Sequence, residues 1–154
     1  MATDAQLLTD VRLELHRAKL RPVYTVGEDR HVIGVVQGSR SVVDLELTSA
    51  RDNLEQAIIM RLLTPRGELA ELGHADYGSR LTELVGTPNT ETRRSLAKLY
   101  ILESLAQEPR IAKVAKVVVT PAVQRDRVDV LIEVQPIASA DTVTIGPFSL
   151  SFAS

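Results

Sequence analysis

An alternating segment near the end of the chain constrains the fold more than any other feature of the sequence. Apolar side chains occupy every second position over residues 128–134: Val128, Val130, Ile132 and Val134, with Asp129, Leu131 and Glu133 between them. Because successive side chains of a strand point to opposite faces, this pattern predicts a strand with one buried face. A second strand is predicted around Val117 and Val119, with the turn between the two near Arg125 and Asp126.

Two segments with helical spacing come before these strands, over residues 49–63 and 90–107. Their apolar residues recur every three or four positions, as expected of helices that bury one face. In the first segment these residues are Leu54, Ile58 and Leu62. In the second they are Leu96, Leu99, Leu102 and Ala106. Pro109 ends the second helix, since proline does not fit a helix interior.

The N-terminal part is predicted to contain one helix followed by strands. Leu8, Val11 and Leu15 fall on one stripe and predict an amphipathic helix over residues 4–18. Apolar and charged residues then alternate within residues 23–47, which predicts strands.

The last residues form an apolar segment with two possible roles. Phe148, Leu150 and Phe152 share one face of a predicted strand. Gly146-Pro147 stands where the phase of the alternation changes, which predicts a bulge or kink. This terminal strand either closes the domain or is an exposed arm that pairs with another chain.

The order of these elements predicts an α+β fold. We expect a compact two-layer domain in which helices pack on one face of a small, mostly antiparallel sheet, together with the N-terminal helix. Three parts are expected: an N-terminal helix and strands over residues 1–47, a core over 48–135, and a C-terminal strand or arm over 136–154.

Composition argues against several classes of function. A net charge of −2 leaves no electrostatic footprint for nucleic acid or anionic lipid. The chain has no cysteine, so disulfides and thiolate metal sites are ruled out. Aromatic residues make up only 3% of the chain, and sugar- or base-binding surfaces usually need more. The N-terminal residues predict no secretory signal, and no apolar run is long enough to span a membrane.

No catalytic constellation is evident in the sequence. His16, His31 and His74 are too far apart for a helix-borne metal motif, so neither a metal nor another cofactor is predicted. Three carboxylates could share a cleft as a glycosidase pair would: Glu68, Asp76 and Glu108. The scarcity of aromatic residues argues against that activity. A basic cluster on the second helix is interpreted as a solvated face: Arg93, Arg94 and Lys98.

Three stretches, taken together, carry a resemblance to a known family. They are Leu62-Leu63-Thr64-Pro65-Arg66-Gly67-Glu68, then Asp76-Tyr77-Gly78-Ser79, and then Glu108-Pro109-Arg110-Ile111. In this order the series resembles the baseplate wedge and sheath-initiator family of phage contractile tails and contractile injection systems. The resemblance covers roughly residues 48–135, which we interpret as the family's core.

The resemblance implies a structural function rather than catalysis. Members of the family sit on the baseplate around the tail tube, where they anchor and nucleate the contractile sheath. Their sheet edges pair with extended arms of the first sheath ring, a form of β-augmentation. The implied partners are the sheath protein and the wedge scaffold proteins, with the tail tube or hub as a further one, and several copies form a symmetric ring. Assembly in the bacterial cytoplasm into a phage tail baseplate or injection particle is implied as well.

The same resemblance assigns roles to two groups of residues. Glu108, Pro109 and Arg110 match the element that contacts the wedge scaffold in relatives. An anion at the end of a helix is disfavoured by the helix dipole, so Glu108 should have a cation close by, either Arg110 or a residue of a partner. Replacing Glu108 and Arg110 by Ala is expected to leave folding intact and weaken incorporation. The apolar residues of the terminal strand are candidates for pairing with the sheath or another partner: Phe148, Leu150 and Phe152.

Two other functions stay open. The family has carried a lysozyme label, so a peptidoglycan-cleaving enzyme is one alternative. A related anti-adaptor of the stress response shares the fold, so a regulatory binding module is the other. Tyr77, Gly78 and Ser79 are interpreted as architectural, with Gly78 supplying a backbone angle that other residues resist and Ser79 capping a short helix.

Overall fold

The computed structural model describes residues 9–15, 24–35, 38–137 and 139–152. The strands are β1 (Thr9–Val11), β2 (Leu13–Leu15), β3 (Tyr24–Val26), β4 (Glu28–Val35), β5 (Gly38–Leu45), β6 (Leu47–Ser49), β7 (Ile111–Pro121), β8 (Arg127–Pro136) and β9 (Val143–Ser151). The helices are α1 (Ala50–Leu63) and α2 (Glu91–Leu105), with 3-10 helical turns at Ala70–Leu72 and Leu81–Leu84. The predicted α+β class is therefore confirmed.

The centre of the fold is an antiparallel sheet of three strands in the order β7-β8-β9. The alternating residues of β8 behave as predicted, since all four apolar ones are fully buried: Val128, Val130, Ile132 and Val134. They form one apolar core with the buried residues of α1 and α2, so the helices cover this face of the sheet. The residues of opposite parity on β8 are only half-buried.

The terminal strand closes this sheet. Leu150 pairs with Val128 across the sheet, and Leu150 and Phe152 are both buried in the core. The backbone N–H of Phe152 also donates to Asp126 O at 2.8 Å. The terminal segment is therefore a closing strand of the domain and not an exposed arm.

The predicted irregularity at Gly146-Pro147 is confirmed as a bulge. Val130 pairs with Phe148 and Ile132 pairs with Ile145, so two residues of β9 lie opposite Leu131 alone. The extra residue changes which face the side chains of β9 point to, and this explains the change of phase in the sequence.

The long helices begin and end within one or two residues of the predicted positions, but the buried face of α2 was predicted wrongly. Leu54, Ile58 and Leu62 of α1 are fully buried, as expected. On α2, Leu99 is 49% exposed and Leu102 is 36% exposed. The buried residues of α2 are Ala97, Tyr100, Ile101, Ser104 and Leu105. Both sets recur at helical spacing, and packing against the sheet selects the second one.

The predicted N-terminal helix is also wrong where the structure describes it. Residues 9–15 form β1 and β2, which pair antiparallel with β6 and β3. The remaining residues of the predicted helix 4–18 lie outside the described ranges. The sequence also carries a period of two here, since Val11, Leu13 and Leu15 alternate with Asp10, Arg12 and Glu14. Pairing with distant strands favours this period over the helical one.

The strands predicted within residues 23–47 are confirmed by β3 to β6, with β4 and β5 paired as a hairpin. Gly38 opens β5, although Gly38-Ser39 reads as a turn in the sequence. A hydrogen-bonded glutamine ties α1 to the N-terminal strands: Gln56 accepts from Leu13 N–H and donates to Val11 O, each at 2.8 Å. Neither described helix is long and apolar enough to cross a membrane.

Candidate functional site: a buried glutamate between two arginines

The predicted contact tripeptide lies at the junction of α2 and β7. Backbone hydrogen bonds fix its course: the N–H of Glu108 donates to Leu105 O, and that of Ile111 donates to Glu108 O, both at 3.1 Å. Arg110 O accepts from the N–H of Ile137 at 2.9 Å, which ties the start of β7 to the end of β8. The tripeptide is therefore held by two elements of the domain.

Glu108 is buried and has two cationic partners. Its Oε1 accepts from Arg110 Nε at 2.6 Å, and its Oε2 accepts from Arg61 Nη2 at 3.2 Å. The side chain of Glu108 is only 4% exposed, against 9% for Arg61 and 17% for Arg110. The expected cation is thus present as Arg110, and the same chain supplies a second one. We call this group of three residues the Arg61–Glu108–Arg110 cluster.

Arg61 is the member of this cluster that sequence reasoning missed. It lies in the last turn of α1, and its guanidinium stacks over the ring of Tyr77 at 4.5 Å from the centroid. The sequence contains a sign of its role, because Arg61 comes seven residues after Leu54 and three after Ile58 and therefore lies on the buried stripe of the helix. A charged residue on a buried stripe needs a partner of opposite charge.

The electrostatics of the cluster favour the ionised carboxylate. Burial by itself raises the pKa of Glu108, but the hydrogen bonds and charge of Arg110 and the charge of Arg61 outweigh it, so the pKa is lowered. The pKa of Tyr77 is raised, chiefly by burial. Glu108 is therefore held as an anion between two cations, an arrangement that suits a structural role and not proton donation.

Tyr77, Gly78 and Ser79 hold the neighbouring loop against both helices, as their architectural interpretation predicts. Gly78 has a φ of +104°, and an added Cβ would lie 2.6 Å from Thr64 O. Ser79 Oγ donates to Leu62 O and accepts from Leu81 N–H. The N-cap residue of the 3-10 turn is Arg80, so Ser79 ties the loop to α1 and does not cap the turn as predicted. From α2, Ser104 Oγ donates to Gly78 O at 2.9 Å. The three stretches that carry the resemblance therefore meet around one site.

The carboxylates considered for a glycosidase pair do not share an environment. Asp76 is exposed and forms an ion pair with Arg66 at 3.1 Å. Glu68 is also exposed, whereas Glu108 is buried inside its cluster. No group of three His, Asp or Glu side chains that could hold a metal ion exists among the described residues.

Of the histidines, His74 is exposed on its loop. His16 lies outside the described residues, and the side chain of His31 is not described. On α2, Arg94 donates to Asn89 at 3.0 Å and Lys98 is exposed. Arg93 and Arg94 are half-buried, so only Lys98 of the basic cluster is fully exposed, as the interpretation of a solvated face predicts.

Glu55, which is not one of the carboxylates considered for a glycosidase pair, has a raised pKa. Glu55 of α1 lies in a surface cleft beneath the N-terminal strands, and Asp52 lines the same cleft. Burial raises the pKa of Glu55, and the charge of Asp52 adds to the effect, while a backbone hydrogen bond from Gly146 opposes it. Nothing in the sequence pattern singles out this residue.

The sheet has two outer edges within the described part of the chain, along β7 and along β9. Of the three residues proposed for partner pairing, Phe148 is half-buried, and the other two are buried in the core: Leu150 and Phe152. Their side chains are thus committed to the domain. Pairing of the outer edge of β9 with a partner stays a prediction.

The fold is similar to that of a solved protein. That protein is a "putative tail lysozyme" from Geobacter sulfurreducens, whose crystal structure matches with a TM-score of 0.57. The match covers 70% of this chain and 97% of that protein, at 24% sequence identity. No family model matches the chain, and the search of curated proteins found no match. At this identity the likeness establishes the shared fold.

Proposed function

We propose that this chain is a structural component of a contractile-tail baseplate that anchors the sheath and nucleates its assembly around the tail tube. The observation that carries the proposal is the fold, because it is shared over nearly the whole length of a protein that is named a tail lysozyme. The three sequence stretches that meet around the Arg61–Glu108–Arg110 cluster support it independently.

The sheet supplies a means of attachment to the sheath. Its outer strands, β7 and β9, each have one side without a neighbouring strand among the described residues. An extended arm of a sheath subunit can add to such an edge through main-chain hydrogen bonds, with its register set by alternating side chains. In a ring, symmetry multiplies these modest contacts into stable anchoring.

The tripeptide supplies a second attachment, to the wedge scaffold. Pro109 is exposed and Arg110 is partly exposed, while the backbone on both sides is fixed. A surface whose geometry is set before binding loses little conformational entropy on docking. We therefore assign the outward-facing part of this tripeptide to the scaffold and the sheet edge to the sheath.

Co-purification tests the proposal. An affinity-tagged chain, produced in cells that make the particle, should recover the sheath protein and a wedge scaffold protein. The control is the affinity tag alone, produced in the same cells, which should recover neither protein. Recovery of unrelated proteins in place of both would reject the assignment.

The second candidate function is that of a peptidoglycan-cleaving enzyme. Two observations favour it: the similar solved protein is named a lysozyme, and the pKa of Glu55 is raised. A general acid in a glycosidase needs such a pKa. The cleft near Glu55 contains no aromatic residue to hold a sugar ring. A peptidoglycan turbidity assay decides between the two: we expect no clearing, and clearing that Glu55→Gln abolishes would favour the enzyme.

A further inference from the structure

The two ends of Arg110 differ in their surroundings. Its Nε donates to the buried Oε1 of Glu108 at 2.6 Å. Its two terminal nitrogens donate to no group in the described part of the chain, and neither is among the enclosed atoms that lack a partner. Each terminal nitrogen is therefore at least partly accessible to solvent, although the side chain as a whole is only 17% exposed.

Arg61 and Arg110 contact different oxygens of Glu108. Arg61 donates to Oε2, whereas Oε1 accepts from Nε of Arg110 and, at 3.4 Å, from its backbone N–H. Arg61 is itself fixed by burial and by the ring of Tyr77. A carboxylate clamped on one oxygen by a rigid cation has one orientation, and its other oxygen then fixes the second guanidinium.

These contacts give the buried residues of the cluster and the partly exposed Arg110 different roles. We propose that Arg61 and Glu108 are positioning residues, and that the terminal nitrogens of Arg110 bind a carboxylate of the partner that docks on this surface. Glu108 is too deeply buried to touch a partner. The planar fork of a guanidinium matches a carboxylate in two parallel hydrogen bonds. This inference rests on the proposed function, because that function supplies the docking surface.

A double substitution separates positioning from folding. Replacing a buried ion pair by apolar residues of similar size is often neutral for stability, so Arg61→Met with Glu108→Leu should leave a folded chain. Arg110 then lacks its anchor. We expect the double variant to lose about tenfold or more in incorporation into purified particles, measured against wild type by immunoblot. Arg110→Gln should show the same loss.

The chain offers a matched control for the double substitution. Arg80 pairs with Glu83 at 2.9 Å and stacks over the ring of Tyr100 at 4.4 Å, which repeats the chemistry of Arg61 on an exposed surface. Arg80→Met with Glu83→Leu should leave incorporation unchanged.

The outcomes distinguish this inference from the proposed function. Normal incorporation of Arg110→Gln would reject the contact itself. Loss in Arg110→Gln, combined with normal incorporation of a folded Arg61→Met, Glu108→Leu chain, would overturn the positioning role alone.

A measurement on the isolated chain keeps the inference falsifiable if the double variant does not fold. Arg61→Lys keeps the positive charge beside Glu108 but loses the planar fork. Solvent exchange of the Arg110 Nε–H, followed by nitrogen-15 NMR, should become about tenfold faster in this variant. An unchanged exchange rate in folded Arg61→Lys would show that Arg61 does not position Arg110.

Discussion

Replacing Glu108 by Gln should destabilise the folded chain strongly, although Glu108 lies just beyond the end of α2, outside any helix or strand. The change keeps the size of the side chain and removes its charge. Arg61 then remains buried without an anion, and its Nε already has no partner among the described residues.

The magnitude follows from the burial of the pair. Removing one partner of a buried ion pair costs about 3–5 kcal/mol. Gln keeps one acceptor oxygen, and the Tyr77 ring continues to stabilise Arg61 by about 1 kcal/mol, so we expect a loss near the lower limit, about 3 kcal/mol. For a domain of this size, each kcal/mol corresponds to about 2–4 °C, so the melting temperature should fall by about 6–12 °C.

The loss of stability in Glu108→Gln should also depend on pH in a definite direction. Because the folded pKa of Glu108 lies below its ordinary value of 4.5, its contribution to stability is complete above that value and is lost as pH falls through the folded pKa. The difference between wild type and Glu108→Gln should therefore be largest at pH 7 and shrink towards zero in acid below the folded pKa.

Thermal unfolding by circular dichroism at several pH values measures both effects. Glu103→Gln is the control, since Glu103 is 40% exposed and lies 3.9 Å from Arg80. It should cost less than about 0.5 kcal/mol. A loss below about 1 kcal/mol for Glu108→Gln at pH 7 would refute the account of a buried, charge-dependent cluster. The same reasoning predicts that replacing both Glu108 and Arg110 by Ala destabilises the fold, against the expectation from the sequence, because Arg61 would stay buried without an anion.

Three further predictions concern other parts of the fold. Truncation after Gly146 should prevent stable folding, because it removes two fully buried side chains worth about 1.5–3 kcal/mol each, and circular dichroism would detect this. Glu55→Gln should raise the melting temperature at pH 7 by about 1 °C, since a raised pKa means that Glu55 loses stabilising free energy as pH rises through it. Gly78→Ala should cost about 2–4 kcal/mol in urea unfolding, because of its positive φ and the contact with Thr64 O.

Each of these predictions has its own check. An unchanged melting temperature in the truncated chain would mean that the terminal strand is a dispensable arm. The gain in Glu55→Gln should disappear near pH 4, and a gain that persists there would point to another cause. Gly73→Ala is the control for Gly78→Ala, because Gly73 has a φ of +84° with no atom within 4 Å of an added Cβ. Equal losses at the two glycines would exclude the close contact as a cause.

The sequence predicts the central sheet well, because the spacing of its apolar residues fits a strand and does not fit a helix. Every second residue of 128–134 is apolar, and only Leu131 departs from the polar character of the positions between them, so a strand with one buried face fits this pattern best. The bulge at Gly146-Pro147 is predictable for the same reason. The elements that were predicted wrongly each satisfy two patterns: residues 9–15 fit a helix and a strand, and α2 carries apolar residues on opposite sides.

The candidate site was predictable in part. Glu108 and Arg110 are neighbours in the sequence, and the helix dipole indicates that the glutamate needs a cation. Arg61 lies 47 residues away from Glu108, and only the packing of α1 against the end of α2 brings the two together. Sequence spacing cannot specify such a long-range pair, although a charge on the buried stripe of α1 signals that some partner must exist.

The most direct test of the central claim is electron microscopy of particles from cells that lack the gene for this chain, with complementation by the wild-type gene as the control. The proposed function predicts that sheathed particles disappear while baseplate fragments or unattached sheath remain, and that complementation restores them. Normal sheathed particles in the absence of the gene would contradict the assignment as a component that anchors and nucleates the sheath.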